Sequence, residues 1–353
     1  ESHVIAQNRP LSSGFATVKK SINSEPVMKK YRLSEESRTV QTGGPGAKES
    51  RVVRQIIALR DFADVTAGTP GGWLENERSL SHDGDCWIYD ENSLVYADAR
   101  VEGNARVTRP CEISHRALIS DNAWVDACHI SHHARLSGHV AIQDSRVHGV
   151  CHLFGHARIA EQSQVVGAKG LTAEQDRELQ IYDSARLSHC RVVHQAQIYG
   201  NAWLNYAFVE HRAEIYDHAR LEGNEENNIW VCDCAKVYGN AHIIAGYGED
   251  EIPTLRYSAQ VAENAVVEGN CVLKHHVLVG GNARLRGGPI LLDDHVLVQG
   301  DVLVTGDVLL EYHIDLTDSV VVEALPGEAI HLRGRKSFSG AQRIIRTPLF
   351  GAL

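Results

Sequence analysis

Aliphatic side chains recur at every sixth position along most of this chain. The series runs from Val95 to Val322 with short interruptions and holds Val, Ile or Leu throughout; it opens with Val95, Val101, Val107, Ile113, Ile119 and Val125. A small residue stands two positions before most members, and alternate residues of a β-strand share one face. Gly, Asn, Asp or His separates the apolar segments, and these residues tolerate the left-handed backbone of a tight corner. The pattern therefore predicts short strands joined by corners, an all-β solenoid rather than helices.

Three hexads complete one coil, so the series defines a first, a second and a third face, which begin at Val95, Val101 and Val107. In this frame the five-residue steps fall together at the corner from the third to the first face, at 125–130, 142–147, 187–192 and 204–209. The insertions after Leu221 and Ile243 fall at the same corner. Only the insertion 167–180, in which residues 171–179 predict a short helix, lies at the corner from the first to the second face. The frame predicts roughly twelve coils, about 55–60 Å long at the usual strand spacing.

The ends of such a solenoid expose unpaired strand edges that need a cover. We expect residues 28–94 to form an N-terminal cap and degenerate first coils, including a strand–turn–strand unit over Val40–Leu59. Residues 95–322 are the repeat, and residues 323–353, where the hexads break down, are expected to form a C-terminal cap. Residues 1–27 carry no periodic apolar pattern and precede Met28, which is the single methionine, so we interpret them as an extension.

The hexads resemble the left-handed parallel β-helix of bacterial hexapeptide-repeat transferases, over about residues 95–322. Upstream, Gly71-Gly72-Trp73-Leu74-Glu75 and Gly84-Asp85-Cys86-Trp87-Ile88-Tyr89-Asp90 are similar to the opening of the enterobacterial YdcK family of β-solenoid proteins. This resemblance implies a left-handed β-helix, a homotrimer and a transferase. An acyltransferase with acyl-CoA as donor is one form of that activity, although no residue string identifies a donor site or the small-molecule acceptor.

The composition of the chain narrows the classes of function that remain. The net charge is −10, which disfavours a nucleic-acid binder because phosphate contacts need clustered Lys and Arg. No apolar run approaches the roughly 20 residues that span a bilayer, so we expect no membrane insertion. The eight cysteines come without a secretion signal, which indicates a reducing compartment and favours the cytoplasm.

The twenty histidines are the most unusual feature of the composition. Many of them fall into two corner columns, which favours stacked structural side chains or left-handed corner residues. The column that follows the second face is Asn104, Asn122, His139, His156, Ser184, Asn201, His218, Asn240 and Asn270, and the column that follows the first face is Ala97, His115, His132, Gly149, Gly167, His194, His211 and Asp233. From the column that follows the first face we select His194 and His211 as candidate catalytic residues. We expect them at the corner from which the 222–230 and 244–260 loops emerge.

The resemblance to hexapeptide-repeat acyltransferases implies that a coil histidine deprotonates an acceptor hydroxyl or amine, a role that neutral imidazole suits near neutral pH. Two alternatives stay open. One is a noncatalytic scaffold or binding rod, which the regular length and the lack of a diagnostic site favour. The other is a zinc enzyme similar to γ-class carbonic anhydrases, with His148, His189 and His194 as ligands, although the spacing departs from that family and zinc needs three convergent ligands. We predict no metal.

Overall fold

The computed structural model describes residues 28–348, so the extension predicted over residues 1–27 and the last five residues lie outside the described part of the chain. Within that part, the chain winds through three sheets in turn. The sheet on the first face has 16 strands: Tyr31–Thr42, Glu49–Ala58, Pro70–Leu74, Leu94–Val95, Glu112–Ile113, His129–Ser131, Arg146–Gly149, Gln164–Gly167, Arg191–His194, Ala207–Val209, Ile229–Val231, Thr254–Leu255, Cys271–Leu273, Ile290–Asp293, Asp307–Glu311 and Ala329–Arg333.

The other two sheets close the triangular coil. The sheet on the second face has 13 strands: Arg100–Val101, Leu118–Ile119, Arg135–Leu136, Cys151–Leu153, Leu179–Ile181, Gln197–Ile198, Glu214–Ile215, Lys236–Val237, Gln260–Val261, His276–Val279, His295–Val298, Ile314–Leu316 and Lys336–Phe338. The sheet on the third face has 14 strands: Trp87–Ile88, Arg106–Val107, Trp124–Asp126, Ala141–Gln143, Arg158–Ala160, Arg186–Ser188, Trp203–Asn205, Arg220–Glu222, His242–Ile244, Val266–Glu268, Arg284–Arg286, Leu303–Thr305, Val321–Glu323 and Arg343–Ile344.

Helical structure in residues 28–348 is confined to two single turns of 3₁₀ helix, at Glu77–Ser79 and Ala173–Gln175. The second turn lies within the insertion for which the sequence predicted a short helix. None of the helices in this part of the chain has the length and hydrophobicity that a membrane crossing requires.

The register between coils confirms the hexad frame. Each aliphatic residue pairs in parallel with its equivalent one coil later, as Val125 does with Ile142 and Leu136 with Leu153. Every member of the aliphatic series is at most 2% exposed, and the small residues that precede them share the same core. A core this narrow holds Val, Ile, Leu, Ala and Cys, which explains the 6% aromatic content.

The solenoid is a parallel β-solenoid as predicted, but its sheets have 16, 14 and 13 strands rather than the roughly twelve that the hexads predicted. The additional coils come from parallel strands that lie outside the regular hexads. The strand Pro70–Leu74 lies before the hexads, and the strands Ala329–Arg333 and Arg343–Ile344 lie after them. At the N-terminal end, Tyr31–Thr42 and Glu49–Ala58 form an antiparallel hairpin on the first sheet. The left-handed sense of the coil stays a prediction.

The two corner columns differ in backbone conformation. In the first-to-second corner, the histidines themselves adopt positive φ, for example 50° at His115 and 54° at His132. In the second-to-third corner, the positive φ falls on the residue before the predicted column, such as Gly103 at 67° and Asp121 at 55°. The predicted column at this corner is instead a ladder of side chains. After Asn240 the ladder continues with Asn264, whose Oδ1 accepts from Nδ2 of Asn240 at 3.1 Å, and not with Asn270 as the sequence had suggested.

Candidate functional site

His194 and His211 lie on adjacent coils at the corner from the first to the second face. His194 ends the strand Arg191–His194, and both residues have left-handed φ, 65° and 58°. The expected neighbourhood with the 222–230 and 244–260 loops is wrong, because those loops precede a first-face strand whereas the histidines follow one. The insertion 167–180 emerges at the histidine corner, with Gly167 paired to His194 on the next coil.

The two imidazole rings form a parallel stack. Their centroids are 5.0 Å apart and their planes differ by 6°. The backbone N–H of His211 donates to Nδ1 of His194 at 3.3 Å. Because this contact occupies the Nδ1 lone pair, neutral His194 carries its proton on Nε2. His194 therefore presents a hydrogen-bond donor to solvent, not a base.

His211 has a different partner. Its Nδ1 lies 3.2 Å from Oδ1 of Asp233, the equivalent corner residue of the following coil. The backbone N–H of Asp233 donates to Nδ1 of His211 at 3.3 Å, just as the N–H of His211 donates to Nδ1 of His194. The Asp233 carboxylate is held in turn by the backbone N–H of Tyr257, which donates to Oδ2 at 3.0 Å. The neutral ring of His211 therefore carries its proton on Nε2 as well. Of the two candidates, His211 is the one whose Nδ1 also has a carboxylate oxygen, Oδ1 of Asp233, beside it.

An aromatic patch lies beside His211 on the outer face of the first sheet. The indole N–H of Trp230 donates to Oε1 of Glu210 at 2.7 Å, and the rings of Phe208 and Trp230 are stacked at 6.4 Å. The Arg191 guanidinium lies 5.3 Å from the Phe208 ring. Sequence analysis missed these residues. Their position one residue before or after a buried first-face aliphatic was the signal that could have placed them.

The nearest approach to a metal site in residues 28–348 is formed by His194, Glu210 and His211, whose ligand atoms all lie within 4.8 Å of one another. Zinc requires ligand atoms that converge on one point at about 2.0–2.2 Å. The rings of His194 and His211 are parallel, so their in-plane lone pairs run side by side instead of converging. The residues as placed do not fit zinc.

The carbonic-anhydrase-like set is also separated. His189 stands at the corner before the strand Arg191–His194 and His194 ends that strand, so the two residues lie at opposite edges of the first face. His148 stacks instead on His132, with ring centroids 4.4 Å apart. Within one chain, these three histidines do not converge.

A groove of about 670 Å³ opens at the other edge of the first sheet, on the third-to-first corner. At this corner Glu161 and Gln162 both adopt positive φ. The corner holds one residue more than the same corner of the neighbouring coils, and the chain uses two left-handed residues to close it. His189 lines the groove and stacks on Tyr206 at 4.3 Å, and its Nδ1 lies 3.4 Å from Oε2 of Glu161. The groove and the His211 corner are therefore different places on the molecule.

Comparison with known proteins identifies a close relative. No protein-family model matches the chain. The chain is 55% identical over 326 residues to an Escherichia coli (strain K12) protein named uncharacterized acetyltransferase YdcK, an alignment that covers 92% of this chain and all of the relative. At this identity and coverage, the chain belongs to the YdcK family.

Proposed function

We propose that the protein is an acyltransferase that transfers an acetyl group from acetyl-CoA to a hydroxyl or amine acceptor, with His211 as the general base. The carrying observation is the carboxylate of Asp233, whose Oδ1 lies 3.2 Å from Nδ1 of His211, where it favours the forms of the ring that carry a proton on Nδ1. The name of the E. coli relative supports the reaction class.

In the proposed step, Nε2 of His211 removes the proton from the acceptor O–H or N–H as the acceptor attacks the thioester carbonyl carbon. The carbon–sulfur bond then breaks, and the CoA thiolate takes the proton back from His211. In the reacting tautomer the ring proton of His211 is on Nδ1, facing Oδ1 of Asp233, which leaves Nε2 free, and the same carboxylate stabilises the imidazolium that forms between the two steps. His194 offers its Nε2–H one coil away as a donor for the developing oxyanion or the acceptor.

We also propose that the protein is a cytoplasmic homotrimer. A stacked corner that is exposed in one chain becomes part of a cleft when a second copy packs against it. In a single chain, His211 lies on an exposed corner and lines neither the groove beside His189 nor the groove beside Leu80. Size-exclusion chromatography with light scattering measures the oligomeric state directly.

The experiment is a thiol-release assay with acetyl-CoA and a panel of amines and hydroxyl compounds. We expect His211→Ala to lower kcat/KM by about 10²–10⁴, the usual contribution of a general base. Asp233→Asn is expected to reduce kcat and shift the pH profile, since Asp233 acts through the ring. His139→Asn, a stacked corner histidine on another edge, is the control and should retain full activity.

A noncatalytic rod is the second candidate, and one observation favours it. His115 and His132 repeat the geometry of His194 and His211, with left-handed φ and parallel rings 4.4 Å apart. If no donor raises the thermal stability or releases thiol, or if His211→Ala is as active as the wild type, the acyltransferase proposal fails and the rod is favoured.

A further inference from the structure

A column of side chains runs along the outer face of the third sheet, one residue before each buried aliphatic. In the middle of it, Arg158 pairs in register with Arg186. Trp203 follows Arg186, and Arg220 follows Trp203. Strands in register are about 4.8 Å apart, so these four side chains are consecutive neighbours along the solenoid.

Some other arginines of this column have a carboxylate partner, whereas Arg284 has none among residues 28–348 and also has no arginine beside it. Arg106 contacts Asp64 at 3.2 Å, and Arg220 contacts Glu222 at 3.4 Å. Glu222 stands two residues after Arg220 on the same strand, so the partner is supplied from the same outer face. On such a strand the chain itself neutralises the guanidinium group.

Arg158 and Arg186 lack this partner. The residues two positions after them are Ala160 and Ser188, and neither guanidinium makes an ion pair or a side-chain hydrogen bond among residues 28–348. Both arginines are exposed. Like charges directly opposite each other on neighbouring strands destabilise a sheet. An arrangement that places them there without a carboxylate is suited to an anion from outside the chain.

Two further side chains extend the basic surface. His156 stands two residues before Arg158 and is exposed at the neighbouring corner, where its ring stacks on His139 with centroids 4.9 Å apart. On the other side of the arginine pair, the Trp203 ring has the Arg220 guanidinium 4.5 Å from its centroid. The surface thus combines two unpaired guanidinium groups with imidazole donors at one side and an aromatic ring at the other.

We propose that Arg158 and Arg186 form a binding site for a phosphate ester. Guanidinium groups bind phosphate oxygens through two parallel N–H donors each, and two opposed guanidinium groups match the several oxygens of one phosphate. Trp203 lies next to Arg186 and contacts the organic part of the ligand. The phosphate belongs either to a nucleotide-containing donor such as CoA or to a phosphorylated acceptor. The site does not depend on acetyl transfer or on His211.

Isothermal titration calorimetry with three probes tests the proposal: CoA, glucose 1-phosphate and inorganic phosphate, each on the full chain at low salt. We expect at least one probe to bind, and we expect Arg158→Gln and Arg186→Gln each to weaken that binding about tenfold or more, equivalent to losing one charge-assisted contact. The matched control is Arg284→Gln. Arg284 is exposed in the same column, but its in-register neighbours are Val266 and Leu303.

The outcomes distinguish the two possible sources of the bound phosphate. Tight binding of CoA alone identifies a nucleotide-containing donor, and comparable binding of the sugar phosphate identifies phosphorylated acceptors. Thermal unfolding without ligand gives a second measurement: Arg158→Gln should be at least as stable as the wild type at low salt, because it removes a like-charge contact. The proposal is overturned if no probe binds, if the two arginine variants bind like the wild type, or if Arg284→Gln loses as much affinity as they do.

Discussion

Acid should destabilise the solenoid through its stacked histidines, and the stack of His115, His132 and His148 gives the sharpest test. The ring centroids of His132 lie 4.4 Å from those of both neighbours. Burial, together with the facing His148, His115 and His133, lowers the pKa of His132 below its ordinary value. The unfolded chain therefore takes up a proton more readily than the folded one, so stability is lost as the pH falls through about 6.5 toward the lower folded-state pKa.

The size of the effect follows from the ring separation. Two unit charges 4.4 Å apart repel by about 1 kcal/mol in a water-like dielectric, which is the appropriate value for rings this exposed. Full protonation of the stack creates two such contacts, so we expect a loss of about 2 kcal/mol at low ionic strength, and less in salt.

Urea unfolding at about pH 7.5 and about pH 5 measures this loss, because histidine changes charge between these values. In His132→Asn the central charge is absent, and Asn tolerates the left-handed φ of 54°. The variant should lose about 2 kcal/mol less than the wild type over this pH interval. His218→Asn, at an exposed corner position outside the stack, is the control and should behave like the wild type. Equal losses in the wild type and His132→Asn would refute the reasoning.

Two further predictions concern stability. Gly149→Ala and Gly327→Ala both place a Cβ at positive φ, 84° and 79°, but the first Cβ also meets a backbone oxygen at 2.1 Å while the second meets nothing within 4 Å. Thermal unfolding should show about 1 kcal/mol lost at Gly327 and roughly 1–3 kcal/mol more at Gly149, and equal losses would contradict the steric argument. Lys30→Met removes a buried ammonium that donates to the carbonyl oxygen of Cys86 at 2.8 Å, and it should cost about 1–3 kcal/mol in urea unfolding. Lys29→Met, whose side chain is 60% exposed, is the control and should change stability by less than about 0.5 kcal/mol.

The hexad pattern was sufficient for the fold because its physical basis is local. Val125 and Ile142 are buried and paired as the frame predicted, since a period of two within a strand and a corner every six residues leave one way to bury these side chains. The pattern failed at the ends. Ala329–Arg333 continues the first sheet although the hexads have broken down, because strand pairing needs backbone register and not a regular spacing of aliphatics.

The candidate site was predictable only in part. The corner column that contains His194 and His211 could be found by counting hexads along the chain, but the prediction then placed the two histidines beside the wrong loops. The partner of each ring nitrogen could not be counted. Asp233 contacts His211 across 22 residues of sequence, and only the side-chain torsions of the two residues decide that a carboxylate oxygen lies 3.2 Å from Nδ1. The adjacency of Arg158 and Arg186 is similarly hidden, because the insertion 167–180 separates them along the chain.

The sequence by itself determined the class of fold, the residues that fill the core, the positions of the corners and the family resemblance. These features depend on short-range sterics and on side chains that alternate between water and core. The tertiary structure decided which side chains of successive coils face each other outside the core. It alone distinguishes His211 with its carboxylate from His194, and it alone brings two unpaired arginines together. Outside the core, no hydrophobic period constrains the residues, and their chemistry follows from the register between coils.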